Sequence, residues 1–176
     1  MDSMTLATLG RRLQELRLAK GVSLSQLAAD AGIAKSNLSR LEQGIGNPTI
    51  DTIWRLALQL NVPFGSIVAP ISGSVEQDGV QVRLIDQGHD DPKVDVYLIT
   101  YAPNTERNAE AHSKGTRERV TVVSGDMEFG TKGQTSHLQA GESHEFMADQ
   151  PHFYRSGDTW TTVMITIAYT REWEVS

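Results

Sequence analysis

The 176-residue chain contains no cysteine. That absence excludes disulfide staples, thiolate zinc sites, iron–sulfur clusters and thiol redox sensing, so any metal would rest on His, Asp or Glu. No apolar run approaches the roughly 18 residues needed to cross a bilayer, and the first residues show no basic-then-apolar signal pattern. A soluble, cytoplasmic protein with no membrane partner is expected. Internal repeats and low-complexity tracts are missing as well. Basic residues are in deficit, 16 Lys and Arg against 22 Asp and Glu for a formal charge of −6, which disfavours a protein that coats nucleic acid with its whole surface. The length and the 39% hydrophobic content suit one large or two small globular domains.

The average charge hides an asymmetry: residues 1–69 hold 7 basic and 5 acidic side chains, and residues 70–176 hold 9 and 17. The hydrophobic period changes at the same place. Leu6, Leu9, Leu13 and Leu16 recur at three- and four-residue steps before Gly21. Ser23 with Gln26 has the form of a capping box, opening a helix over 24–31, and Gly32 breaks it. A third helix is predicted over 35–43, ending at Gly44, and Pro48–Thr49 introduces a fourth that carries Ile50, Ile53, Trp54, Ala57 and Leu60. A short turn after Pro63 closes this half. From Val80 onward short alternating segments take over, Val94, Val96 and Leu98 in one and Val163, Ile165 and Ile167 in another, which predicts a β-sandwich or barrel. The expected domains are 6–69 and 80–176, joined by a small, polar linker over 70–79 that includes Ser72.

Within SQLAADAGIAKSNLSRLEQG (25–44), Ala28 is small where two helices cross, Gly32 suits a left-handed turn, and Ile33, Leu38 and Leu41 supply a buried side. Lys35, Ser36, Ser39, Arg40 and Gln43 then point outward, on a face with no acidic residue. Lys and Arg with hydroxyl and amide neighbours match the acceptors and donors of a major groove, and Asn37 is placed for a phosphate or base edge. The stretch 9–63, with LGRRLQELR, LSRLEQG and NPTIDTIWRLALQLNVP, resembles the XRE or Cro/C1-type helix-turn-helix regulators. That resemblance implies base reading by Lys35, Ser36 and Arg40, with Asn47 and Thr49 near phosphates. Ala34 departs from the family's Ser or Thr cap and weakens the helix start by roughly 1 kcal/mol. A half-site reader of this size implies a homodimer on a double-stranded DNA operator.

In the second half His112, Lys114, Glu118, Gly125, Gly141 and His152 stand out. Alternation along a strand would put His112 and Lys114 on one face. HSKGTRERVTVVSG (112–125) and GESHEFMADQPHFYRSGD (141–158) resemble the two cupin motifs over about 75–170. The resemblance implies a double-stranded β-helix, or jelly-roll, and a site at His112, Glu118 and His152. Lys114 occupies the position of the second metal-binding His, Ser156 that of an Asn, and Met147 that of a turn proline. Two readings stay open: a divalent metal such as zinc, iron or manganese on His112, Glu118 and His152, or a metal-free pocket in which His112, Lys114, Glu118 and His152 bind a small effector. Tyr154 and Arg155 alternate across a strand, so at most one of them faces that pocket. His137 and His144 are read as structural or solvated.

The expected fold is thus multidomain α + β, a lambda-repressor-like helical domain followed by an all-β cupin barrel. The expected function is a DNA-binding transcriptional regulator, and not an enzyme, whose effector is an amino acid or small carboxylate. The H-x-K-G form resembles regulators associated with sulfur or amino-acid metabolism, which makes methionine a candidate. The alternatives are a metal-dependent cupin enzyme and a repressor with a purely structural, dimerising barrel.

Overall fold

The computed structural model describes residues 3–46, 48–71, 73–88, 90 and 92–170; Asn47 and Ser72 lie outside the described residues. The chain divides into two compact units, residues 1–75 and 76–176. The first contains α1 (Ser3–Ala19), α2 (Leu24–Asp30), α3 (Lys35–Glu42), α4 (Ile50–Leu60) and α5 (Phe64–Val68). Among the described residues no helix is long and apolar enough to cross a membrane.

Local chemistry explains the helix limits. Ser23 caps α2 by accepting from the Gln26 amide at 3.1 Å. The Gln26 side chain donates instead to Asp30 at 2.7 Å, so only half of the expected capping box forms. Gly32 takes the left-handed conformation, φ 63°, and turns the chain into α3. At the start of α3, Ala34 makes no side-chain cap, whereas Thr49 caps α4 through the Thr52 amide at 3.1 Å. The apolar faces converge on Leu9, Leu13, Leu27, Leu38, Ile50, Ile53, Leu56 and Phe64, all nearly inaccessible.

Two devices fix α3 against α1. The first is Gly10, where a Cβ would sit 2.3 Å from the Leu41 carbonyl oxygen. The helices therefore touch backbone to backbone, and Gly10→Ala is expected to cost about 1–3 kcal/mol through overpacking, despite alanine's better helix propensity. Thermal unfolding monitored by helical circular dichroism checks this; an unchanged or higher melting temperature would contradict it. The second is a buried bidentate ion pair. Arg17 Nε and Nη2 donate to Glu42 at 2.6 and 2.8 Å, while Nη1 donates to the Val22 carbonyl at 3.1 Å.

The second unit is a two-sheet barrel of β1 (Val75–Gln77), β2 (Val80–Gly88), β3 (Lys93–Tyr101), β4 (Glu106–Ala109), β5 (Arg117–Ser124), β6 (Asp126–Thr131), β7 (Gln134–Gln139), β8 (Ser143–Met147), β9 (His152–Ser156) and β10 (Thr161–Tyr169). One sheet has the order β1-β2-β3-β10-β5-β8 and the other β4-β9-β6-β7. The segment expected to be a linker therefore contains a strand, β1. Inner faces carry Val163, Ile165 and Ile167 of β10, Val120 and Val122 of β5, and Met127 and Phe129 of β6. The inner face of β3 is Asp95, Tyr97, Ile99 and Tyr101, all buried. Asp95 is well provided for, accepting from Tyr97 at 2.5 Å, Tyr169 at 3.0 Å and Gln87 at 3.0 Å.

Candidate functional site

On α3, Leu38 and Leu41 point into the helical core, and Lys35, Ser36, Asn37 and Arg40 are exposed. Ser39 is half-buried and its hydroxyl accepts from Gln43 at 3.1 Å. Asn37, Arg40 and Thr49 line one hollow of about 300 Å³ together with Thr52. Thr52 carries no signal in the sequence beyond its place three residues after the capping Thr49. Thr49 Oγ1 accepts from the Thr52 amide at 3.1 Å and shares a second hydrogen bond with the Thr52 hydroxyl at 2.8 Å, which ties the two side chains together in the lining of the hollow.

Inside the barrel, three residues from distant parts of the chain meet: ligand atoms of His112, Glu118 and His152 lie within 4.8 Å of one another. Glu118 is the second residue of β5, with its side chain inward, opposite Phe146 of β8 and Ile167 of β10. One carboxylate oxygen meets His112 Nε2 and the other accepts from the Tyr154 hydroxyl. Burial raises the Glu118 pKa, but the charge and hydrogen bond of His112, helped by His152 and Tyr154, bring it down to about 2. His152 Nδ1 donates to the Gln150 carbonyl at 2.8 Å, which fixes the tautomer and leaves a lone pair on Nε2. Burial lowers the His152 pKa and keeps the ring neutral, against the pull of Glu118. That Nε2 atom is 3.8 Å from Glu118 Oε1 and has no hydrogen-bond partner among the described residues.

A buried imidazole lone pair, aimed by a backbone carbonyl at its other nitrogen, is how metal-ligating histidines are prepared. With His112 and a carboxylate beside it, the donor set fits a divalent transition metal.

Lys114 does not join this cluster. The expected strand over His112 and Lys114 is absent: residues 110–116 are irregular, with a turn at 114–115. His112 turns inward, its side chain 9% exposed, while Lys114 is exposed and its carbonyl accepts from Thr170 at 2.9 Å. A solvated ammonium avoids the desolvation that burial would impose. Of the pair 154 and 155, Tyr154 faces inward. Arg155 lies on the outer face, bonded to Glu106 at 2.8 and 2.9 Å and to Glu128 at 2.7 Å. Ser156 is structural: its hydroxyl donates to the Ala102 carbonyl at 2.7 Å and accepts from the Thr105 amide at 2.9 Å. His137 is exposed on Asp126 at 3.0 Å, and His144 is exposed.

Two inward residues had no signal in the sequence. Tyr101 is fully buried and its hydroxyl has no hydrogen-bond partner among the described residues. Arg107 stands opposite Tyr154 in the β4–β9 register and so shares its inner face.

The helix-turn-helix family HTH_3 matches residues 13–67 and the cupin-domain family Cupin_2 matches residues 97–168. The HTH-type transcriptional regulator SutR of Escherichia coli (strain K12) is 33% identical over 159 residues, covering 87% of this chain and 89% of that protein. The HTH-type transcriptional regulator PuuR of the same organism is 29% identical, covering 82% and 85%. A crystal structure of an HTH_3 family transcriptional regulator from Vibrio cholerae matches with a TM-score of 0.86 at 27% identity, over 97% of this chain and 100% of its own. The chain therefore belongs to the HTH-type transcriptional regulators that join an HTH_3 (XRE-type) helix-turn-helix domain to a Cupin_2 domain.

Proposed function

We propose that the protein is a ligand-responsive regulator that binds operator DNA as a homodimer and senses a small effector in the barrel. Lys35, Ser36 and Arg40 read base edges, Asn37 and Ser39 flank them, and Asn47 and Thr49 approach phosphates. One helix in one groove buries too little surface for specificity, and a symmetric pair overcomes that.

The sensing half rests on a single observation, the buried and unpartnered Nε2 of His152 beside Glu118. A polar atom left in this state costs free energy that a bound group returns. His112, Glu118 and His152 would hold a zinc, iron or manganese ion, which would supply a Lewis-acidic anchor for an anionic effector. Without metal, the same side chains hydrogen-bond the effector directly. The donor set would also serve an enzyme, but the similarity to SutR and PuuR runs through both units and favours sensing. Effector binding alters DNA binding only if it distinguishes two arrangements of the dimer.

Native mass spectrometry of the freshly purified full-length protein, followed by denaturation and identification of whatever is released, tests this reading. The expected result is a dimer carrying a metal or small molecule, whose removal and return change operator affinity by about 5-fold or more. His152→Ala is expected to weaken retention of that species at least ~10-fold. An apo-protein whose operator affinity responds to no metal or metabolite would leave a purely structural barrel.

A further inference from the structure

We infer that the outer face of the six-stranded sheet is the interface between two copies of this chain, packed about a two-fold axis that runs along the strands. The inference rests on the homodimer proposed above and names the surface that forms it.

The two sheets differ on the sides they turn away from the core. On the four-stranded sheet, Arg155 joins Glu106 and Glu128 in exposed ion pairs, and Asn108 donates to Glu106 at 3.3 Å. Water and paired charges satisfy that face. On the six-stranded sheet the inner positions of β3 and β10 are buried, and the outer positions between them are apolar again: Val94, Val96 and Leu98 on β3, Met164 and Ala168 on β10. A strand with one face in water ordinarily carries polar residues on that side. Every large apolar side chain of this unit that is exposed among the described residues lies in the same sheet or directly before β10, namely Ile85, Val123, Met147, Trp160 and Met164.

The register makes this face complementary to itself. Across β2, β3, β10 and β5, one row reads Asp86, Val96, Thr166 and Arg119. The next reads Arg83, Leu98, Met164 and Thr121. A two-fold axis between β3 and β10, parallel to the strands, sets β3 of one copy over β10 of the other and β2 over β5. Leu98 then meets the partner's Met164, and Asp86 meets the partner's Arg119, each contact occurring twice. Arg119 and Arg117 share the single carboxylate of Glu145, at 3.1 and 3.3 Å, so this margin keeps one positive charge in excess for Asp86. Arg83 meets Thr121, which leaves neither row with like charges opposed. An axis across the strands would instead lay β5 over β5 and bring Arg119 onto the partner's Arg119, a repulsive contact.

The size of the face suits a stable dimer. β2, β3 and β10 have nine residues each and β5 has eight. At ~3.3 Å per residue and ~4.8 Å between strands, these four cover roughly 30 by 19 Å, or about 570 Å² before side-chain relief is added. That is of the order of the ~800 Å² per partner in a standard interface, and aligned sheets pack about 10 Å apart.

Sedimentation equilibrium of the full-length protein tests the interface. The parent is expected to be a dimer at ~10 μM. Met164→Lys brings a charge from each copy into the centre of the face and is expected to raise the dimer Kd at least ~100-fold. Asn108→Lys, on the outer face of the other sheet, should change it by less than ~3-fold. Asp86→Arg and Arg119→Glu alone are each expected to weaken the dimer ~10-fold or more, and together to restore it to within ~3-fold of the parent. Circular dichroism spectra matching the parent's show that each variant is folded, and the charge pair keeps the test intact should Met164→Lys not fold. A monomeric parent, an unchanged Kd in Met164→Lys, a double variant no better than its singles, or a tighter dimer in Arg119→Glu overturns the inference. A monomeric parent whose melting temperature falls in Met164→Lys would overturn it in favour of a face covered by the chain itself. If Met164→Lys stays dimeric and binds operator, the face fails and the homodimer reading stands. If Met164→Lys is a folded monomer with unchanged operator affinity, the face stands and the reading of a homodimer on the operator fails.

Discussion

Arg17→Ala is expected to destabilise the helical unit by about 3–5 kcal/mol. The guanidinium makes three hydrogen bonds, two to Glu42 and one to the Val22 carbonyl. Side-chain exposures of 9% for Arg17 and 4% for Glu42 put the pair largely out of water, so removing Arg17 strands the Glu42 carboxylate in a place where it cannot be solvated. Most of the loss is this penalty rather than the value of the pair. The double variant Arg17→Met with Glu42→Leu should accordingly recover much of the stability. Denaturant unfolding followed by helical circular dichroism checks both; a single variant within about 1 kcal/mol of the parent would show that the pair does not anchor α3. Because Glu42 is the last residue of α3, operator affinity should fall with stability in the single variant and return in the double one.

Arg40→Ala is expected to act oppositely, sparing the fold and removing the function. Arg40 is exposed on α3, where truncation costs within about 0.5 kcal/mol of stability. A bidentate contact to a base edge contributes about 1–3 kcal/mol, and a symmetric dimer loses it twice, so operator affinity should drop by roughly 30-fold or more. Non-specific DNA binding, carried by phosphate contacts, should change far less. Fluorescence anisotropy with operator and scrambled duplexes measures the two. Equal losses on both would make Arg40 a phosphate contact, and no loss on either would remove α3 from the interface.

The helical unit was almost entirely legible in the amino-acid sequence because its determinants are local. Gly21, Gly32, Ser23, Thr49 and Pro63 mark boundaries from within a few residues, and α2 and α3 each end one residue earlier than the period predicts. Gly10 was invisible, since its meaning depends on Leu41 lying against it. The barrel was legible as a fold and less so as a site. Alternation located β10 and its inner face correctly. In β3 it found the strand, but the apolar set Val94, Val96 and Leu98 is half-buried on the outer face, and the inner face carries Asp95 and two tyrosines. A carboxylate satisfied by Tyr97, Tyr169 and Gln87 overrides the binary pattern, and those partners come from three strands. The cluster of His112, Glu118 and His152 could be expected from motif spacing. Lys114 drops out because its segment is a turn, and the place of Arg107 on the inner face follows from a register that no local pattern encodes.

Enrichment of bound duplexes from a randomised DNA pool by the full-length protein tests the central claim most directly. The account predicts a two-fold symmetric site whose half-sites lie about one helical turn, ~34 Å, apart, with selectivity lost in Arg40→Ala and affinity altered by the species released from the barrel. A pool that stays random after selection by folded protein, or a single asymmetric motif that Arg40→Ala recovers equally well, would contradict it.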